Sequence, residues 1–177
     1  MAEMRKGEVT MKGNPVELAG PKLKAGDPAP DFTCVGQGLA LVTKKDTAGK
    51  ARLFSVVPSL DTPVCNMQTK KFNEQLAALG DKVAAYTVSL DLPFAQARFC
   101  ADAGIQNMAN LSDTVDHSFG AHYGVLITGG IPIPLLARAI FVVDPKDTIR
   151  HVEIVPEIAS EPNYDAALAA LKAAAGA

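Results

Sequence analysis

The sequence holds no Cys-x-x-Cys pair, no Gly-x-Gly-x-x-Gly and no apolar run long enough to span a membrane. The first absence removes a dithiol oxidoreductase, which needs that pair at a helix start, and the second leaves dinucleotide binding without support. The third argues against a transmembrane protein. Three cysteines in 177 residues, Cys34, Cys65 and Cys100, are too few for a disulfide scaffold, and an odd number cannot all pair within one chain. The three histidines, His117, His122 and His151, make no metal signature; His117 and His122 stand five apart, a poor spacing for two ligands on one helix face. No metal, flavin, haem or other cofactor is expected. Charge of one sign is also missing: 17 Lys and Arg against 19 Asp and Glu give a net charge of -2, with both signs scattered. That is no footprint for nucleic acid or for an anionic membrane surface. Residues 1–10 carry Glu3, Arg5, Lys6 and Glu8 without an apolar stretch, so no secretory signal and a cytoplasmic location are expected.

What is present is the composition of an ordinary globular chain, 48% hydrophobic and 20% charged. Neither repeat nor linker interrupts it, and a single domain over residues 1–177 is expected, with residues 1–20 as an N-terminal hairpin extension. Glu8 to Leu18 alternates and is broken at Gly13-Asn14-Pro15, a hairpin signal. Gly26-Asp27-Pro28-Ala29-Pro30 reads as a rigid turn. Ala51 to Val57 is a buried strand stopped by Pro58. A helix starts at Thr62-Pro63, carries Phe72, Leu76 and Leu79 on one stripe and should end at Gly80. Val83 to Leu90 is a strand, Phe94 to Ala103 a helix closed by Gly104, and Val115 to His122 a short helix before Gly124. Ala137 to Val143 and Thr148 to Val155 form an antiparallel pair about the turn Asp144-Pro145-Lys146-Asp147. Tyr164, Leu168 and Leu171 mark a last amphipathic helix. This order predicts an α/β fold of the thioredoxin-like kind, a mixed central sheet covered by helices on both faces.

One position in this pattern carries chemistry. With Thr62 as cap and Pro63 as the first helical residue, Cys65 is the third. The first-turn N–H groups lack intrahelical partners and the helix is partially positive there, so a thiol is stabilised as its nucleophilic thiolate. Cys65 lies seven residues before Phe72, on the core-facing stripe, and the Thr62 hydroxyl is three residues back. It should occupy a half-buried pocket whose wall Pro58 shapes. On local chemistry alone a lone cysteine here is more often an inert small hydrophobe. Arg138, near the start of the apolar strand 137–143, has two readings as well: a buried cation that needs an anion such as a thiolate, or an edge residue whose head reaches solvent.

Pro58-Ser59-Leu60-Asp61-Thr62-Pro63-Val64-Cys65 resembles the Pro-x-x-x-Thr-x-x-Cys motif of peroxiredoxins. With Gly13-Asn14-Pro15-Val16, the segment Asp91 to Cys100 and Leu136-Ala137-Arg138-Ala139, the chain is similar to the bacterial thiol peroxidases, the atypical two-cysteine branch of that family. The motifs occur in family order along nearly the whole chain. The resemblance implies that Cys65 attacks the peroxide O–O bond and becomes a sulfenic acid. Thr62 would hydrogen-bond thiolate and peroxide, Pro58 would shield the pocket, and Arg138 would support the thiolate and polarise the peroxide. It makes Cys100 the resolving cysteine, which condenses with the sulfenic acid to an intrachain disulfide.

The resemblance further implies thioredoxin as reductant, a homodimer, and hydrogen peroxide or alkyl hydroperoxides as substrate. A non-enzymatic redox-sensing thiol module on the same fold is the alternative. Cys34 matches neither functional cysteine and reads as a buried bystander, with a secondary oxidation site as the alternative. Gly129 to Leu136 is an apolar run that cannot be regular helix: either a loop packed on its own core or a patch for a partner subunit or an organic peroxide. If the two cysteines sit on separate helices, their Cα atoms must come within about 7 Å, so the fold around Cys65 must loosen locally.

Overall fold

Strand β5 (Ala51–Val56) shows why the central sheet is where it is. All six of its residues are buried, and their alternation sorts them between two cores. Ala51 and Leu53 point to one face, and Phe54 and Val56 to the other. The structure, a computed structural model, describes residues 3–176.

In chain order the elements begin with the hairpin β1 (Met4–Met11) and β2 (Asn14–Ala19), then β3 (Thr33–Val35), β4 (Leu41–Thr43) and β5. There follow α1 (Pro63–Leu76), β6 (Val83–Ser89), α2 (Pro93–Ala103), β7 (Ala109–Ser112) and α3 (Ser118–His122). The chain closes with β8 (Leu126–Gly129), β9 (Leu135–Leu136), β10 (Ala139–Val143), β11 (Ile149–Ile154) and α4 (Tyr164–Ala174). A seven-stranded sheet has the order β11-β10-β5-β6-β7-β3-β4, with β5, β6 and β7 parallel and the remaining pairs antiparallel. A second sheet, β1-β2-β8-β9, is antiparallel throughout.

The fold is the expected α/β one, but the two faces of the main sheet are covered differently. On one face Leu53, Ala85, Ile140 and Val142 pack against Phe72, Leu76 and Leu79 of the α1 region and Leu168 and Leu171 of α4. The successive parallel steps β5–α1–β6 and β6–α2–β7 advance in one direction, which puts α2 beside α1. On the other face Phe54, Val56, Phe141 and Val143 meet Phe119 and Tyr123, together with Val16, Leu18 and Ile127 of the small sheet. Phe119 and Tyr123 stack with ring centroids 4.1 Å apart. The N-terminal hairpin is therefore half of a layer, not an appendage.

Several boundaries differ from expectation for local reasons. The hairpin turns at Lys12 and Gly13, both with positive φ (51° and 80°), the pair of left-handed residues that a two-residue turn with the strands' own twist needs. Helix α1 stops at Leu76, not at Gly80; Leu79 still reaches the core through a tight turn in which its N–H meets the Leu76 carbonyl at 3.0 Å. The helix expected over 115–122 begins only at Ser118, because His117 is left-handed (φ 56°) and the Asp116 carboxylate accepts the Ser118 N–H at 2.9 Å. Gly129 to Leu136 is not merely a loop: it joins β8 to β9, whose pairing Leu126↔Leu136 and Ile127↔Leu135 closes the small sheet. Only its tip is exposed, with Ile133 the large apolar residue there. Strand β10 starts at Ala139, so Ala137 and Arg138 form the approach to it.

Candidate active site

Thr62 has the extended backbone of a helix cap and Pro63 occupies the first helical position, as the sequence predicts, but the Thr62 hydroxyl caps nothing. It lies 2.7 Å from Cys65 Sγ and 2.9 Å from the Ser59 carbonyl oxygen. A hydroxyl has one proton and can accept as well as donate. When the sulfur is a thiol, S–H can donate to Thr62 Oγ1 while that hydroxyl donates to Ser59. When the sulfur is a thiolate, the hydroxyl turns and donates to it. The geometry serves both states without moving a heavy atom.

Cys65 is fully buried in a small cluster with Val57 and Leu60, against which the partly buried Phe99 packs. The half-buried position expected of it is thus too generous. Arg138 reaches the same sulfur, Nη2 to Sγ at 3.3 Å, across 73 residues of sequence. The solvent-reaching alternative for Arg138 is overturned: the side chain is 1% exposed. Its Nη1 donates to Gln68 Oε1 at 2.8 Å and its Nε to the Ile158 carbonyl at 2.8 Å. Among the described residues no carboxylate pairs with this guanidinium. Glu161 acts on it only at longer range, so a cation so placed is compensated most directly by an anion at the sulfur or at a ligand beside it.

Gln68 escaped the sequence reading. It sits one turn after Cys65, is fully buried, and passes the restraint on by donating from Nε2 to Ser55 Oγ of β5 at 2.7 Å. The available signal was a polar residue four before Phe72, on an otherwise apolar stripe. Pro58 is buried at the exit of β5, in the turn that delivers Thr62 and Cys65.

Cys100 is elsewhere. It lies on α2, partly exposed, and accepts a hydrogen bond from Asn110 Nδ2 at 2.9 Å. Burial pushes its thiol up from the ordinary value and the Asn110 contact offsets this in part. It lines a cavity of about 430 Å³ with Pro93, Phe94, Ile105 and Met108, while its neighbour Phe99 packs on the cluster that holds Cys65. All three cysteines are free thiols. Among the described residues Phe94 is the most exposed large apolar side chain, and it stands at this cavity with Leu39.

Cys34 is buried in β3, its Sγ 3.8 Å from Asp113 Oδ1. Burial first, and the Asp113 carboxylate second, push its thiol far up, away from the reactive form. The histidines are dispersed: His122 Nδ1 contacts the Asp31 carbonyl at 2.7 Å, and His151 is on β11. Among the described residues no group of three or more His, Cys, Asp or Glu has metal-holding geometry, and no helix is long and apolar enough to cross a membrane.

Comparison with known proteins adds independent observations. Residues 24–168 match the model of the redoxin family. The chain is 51% identical over 166 residues to a thiol peroxidase of Halalkalibacterium halodurans, covering 94% of this chain and 98% of that one. It is 50% identical over 167 residues to a thiol peroxidase of Listeria innocua, covering 94% and 99%. Among solved structures, a peroxiredoxin-like protein from Aquifex aeolicus superimposes with a TM-score of 0.88 at 43% identity, covering 96% of this chain and 98% of that one.

Proposed function

The chain belongs to the redoxin family, and from that premise we propose that it is a thiol peroxidase that reduces hydroperoxides at Cys65 and returns through a disulfide with Cys100. The observation that carries the site assignment is the convergence of Thr62 Oγ1 and Arg138 Nη2 on one buried sulfur. In the first step the Cys65 thiolate attacks one peroxide oxygen. The S–O bond forms as the O–O bond breaks, and the leaving alkoxide or hydroxide takes up a proton to give alcohol or water. Charge moves from sulfur to the departing oxygen. Donors already fixed on the sulfur can follow that charge with little reorganisation. Gln68 and the Ile158 carbonyl hold Arg138 for this, and Pro58, Val57 and Leu60 keep bulk water away.

In the second step the Cys100 thiolate attacks the sulfur of the Cys65 sulfenic acid, the S–S bond forms and hydroxide leaves as water. Phe99 packs on the cluster that holds Cys65, and Cys100 contacts Asn110, so the step requires α2, the first turn of α1, or both to loosen. Loosening also relieves the burial that keeps the Cys100 thiol protonated. The disulfide is then reduced by a dithiol partner of the thioredoxin kind, in the cytoplasm, and the working unit is a homodimer; thioredoxin kinetics read the reductant and sedimentation the homodimer.

The test is peroxide-dependent oxidation of reduced thioredoxin. Wild type and Cys34→Ser turn over. Cys65→Ser is inactive, and Cys100→Ser reacts once and recycles poorly. Turnover by Cys65→Ser overturns the reading, and a single stoichiometric oxidation of wild type without turnover makes the chain a sensor rather than an enzyme.

A further inference from the structure

The link between β6 and α2 contains a carboxylate that the peroxidase chemistry does not use. Asp91 is partly buried and pairs with no cation among the described residues. A carboxylate accepts and cannot donate, so away from counter-ions it must be satisfied by hydrogen-bond donors. It has three. Ser59 Oγ lies 2.7 Å from Oδ1, the Leu60 N–H 2.8 Å from Oδ2, and Ser89 Oγ 2.8 Å from Oδ2.

Two of these donors belong to the turn that carries the peroxide-reacting end of α1. The Ser59 carbonyl receives both the hydroxyl and the N–H of Thr62, at 2.9 and 3.1 Å, and Thr62 touches the Cys65 sulfur. The third donor belongs to a network that roots α2. Ser89 Oγ accepts from Gln96 Nε2 at 3.0 Å, Gln96 also donates to the Leu111 carbonyl at 3.1 Å, and the Asp91 carbonyl accepts from Ser112 Oγ at 2.6 Å. Ser89, Ser112 and Gln96 are at most 1% exposed. Asp91 stands two residues before Pro93, where the helix bearing Cys100 begins. One side chain therefore holds the Cys65 turn directly and α2 through Ser89 and Gln96, the two segments whose loosening the disulfide needs.

We infer that Asp91 is a positioning residue that works in opposite directions on the two half-reactions. It holds Thr62 on the Cys65 sulfur and so favours attack on peroxide, and it restrains the Cys65 turn against α2 and so slows disulfide closure. The inference rests on the peroxidase reading for the roles of the two cysteines.

Asp91→Ala removes all three acceptor contacts. Oxidation of Cys65 by one equivalent of hydroperoxide, followed by rapid quench, should slow roughly 10- to 100-fold, the scale of loss when a reacting group is misplaced. Closure of the disulfide from the sulfenic acid should quicken by roughly tenfold as the open form gains population. The oxidised protein should then resist over-oxidation to sulfinic acid better than wild type. Asp91→Asn should restore both rates most of the way: its oxygen can face Leu60 and Ser89, and its NH₂ can donate to a rotated Ser59 hydroxyl. Ser59→Ala, a milder change that keeps the α2 network, should shift both rates in the same senses by less, and it serves if Asp91→Ala does not fold. A residue that merely stabilised the fold would slow both steps or neither; either result overturns the inference. If wild-type Cys65 itself does not react with peroxide, the peroxidase reading fails and the inference falls with it.

Discussion

Two residues of the site follow from local sequence and two do not. Thr62 and Cys65 are set by a cap, a proline and three residues of helix, and a reader of the sequence can place the hydroxyl beside the sulfur. Arg138 meets the sulfur from 73 residues away, and Gln68 acquires its meaning only from Arg138 and Ser55. Long-range pairs of this kind leave no periodic trace. Thr62→Val should lower the rate of Cys65 oxidation by roughly 10²-fold, as expected for loss of one fixed donor, and Thr62→Ser should retain most of it; single-turnover kinetics separate the two. Gln68→Ala leaves Arg138 Nη1 and Ser55 Oγ without their partner, and should cost about 1–3 kcal/mol of stability in denaturant titration, with a slower first step. Cys34→Ser should keep peroxidase turnover, since that thiol is buried against Asp113 and held protonated.

Helices are legible at the scale of elements because their apolar stripes are local; the stop at Gly104, left-handed after α2, is read correctly, while Gly80 lies beyond the real end of α1 at Leu76. Strands β4, β7, β8 and β9 have two to four residues each and exist because a neighbour supplies the hydrogen bonds, which no local pattern announces. Within α2, burial raises the Cys100 thiol above its ordinary value of 9.0. A raised thiol favours the folded form while it is protonated. That preference is complete below the ordinary value and is lost as pH rises through the raised one. Disulfide closure should therefore quicken with pH toward and beyond 9.0, and the amides of residues 100–104 should exchange faster there after correction for intrinsic exchange. A closure rate independent of pH would show that the Cys100 thiolate does not limit the step.

Across the whole molecule, the order of seven strands and the separate four-stranded layer were beyond reach of the sequence, although the fold class was not. The two layers are tied near the site. Glu157 accepts from the Thr10 hydroxyl at 2.7 Å and from the N–H groups of Lys12 and Gly13 at 2.9 and 3.0 Å. Its neighbour Ile158 holds Arg138 through its carbonyl. The Thr10 contact first, and the backbone donors after it, lower the Glu157 carboxyl from 4.5 to about 2. A lowered carboxyl gives its support above its ordinary value and loses it as pH falls through the lowered one. The amides of Lys12 and Gly13 should lose protection between about pH 4.5 and 2, and Glu157→Gln should loosen the hairpin tip at neutral pH. Unchanged protection across that window would remove Glu157 from the account.

The central claim is that Cys65 is the atom that meets the peroxide. Cys100→Ser, treated with one equivalent of hydroperoxide in the presence of a sulfenic-acid trapping dione and mapped by peptide mass spectrometry, tests it most directly. The adduct should sit on Cys65 and form within the first turnover; it should form roughly 10²-fold more slowly when Thr62 is also changed to Val and be absent when the peroxide is omitted. An adduct on Cys34, or none on any cysteine while peroxide is consumed, would contradict it.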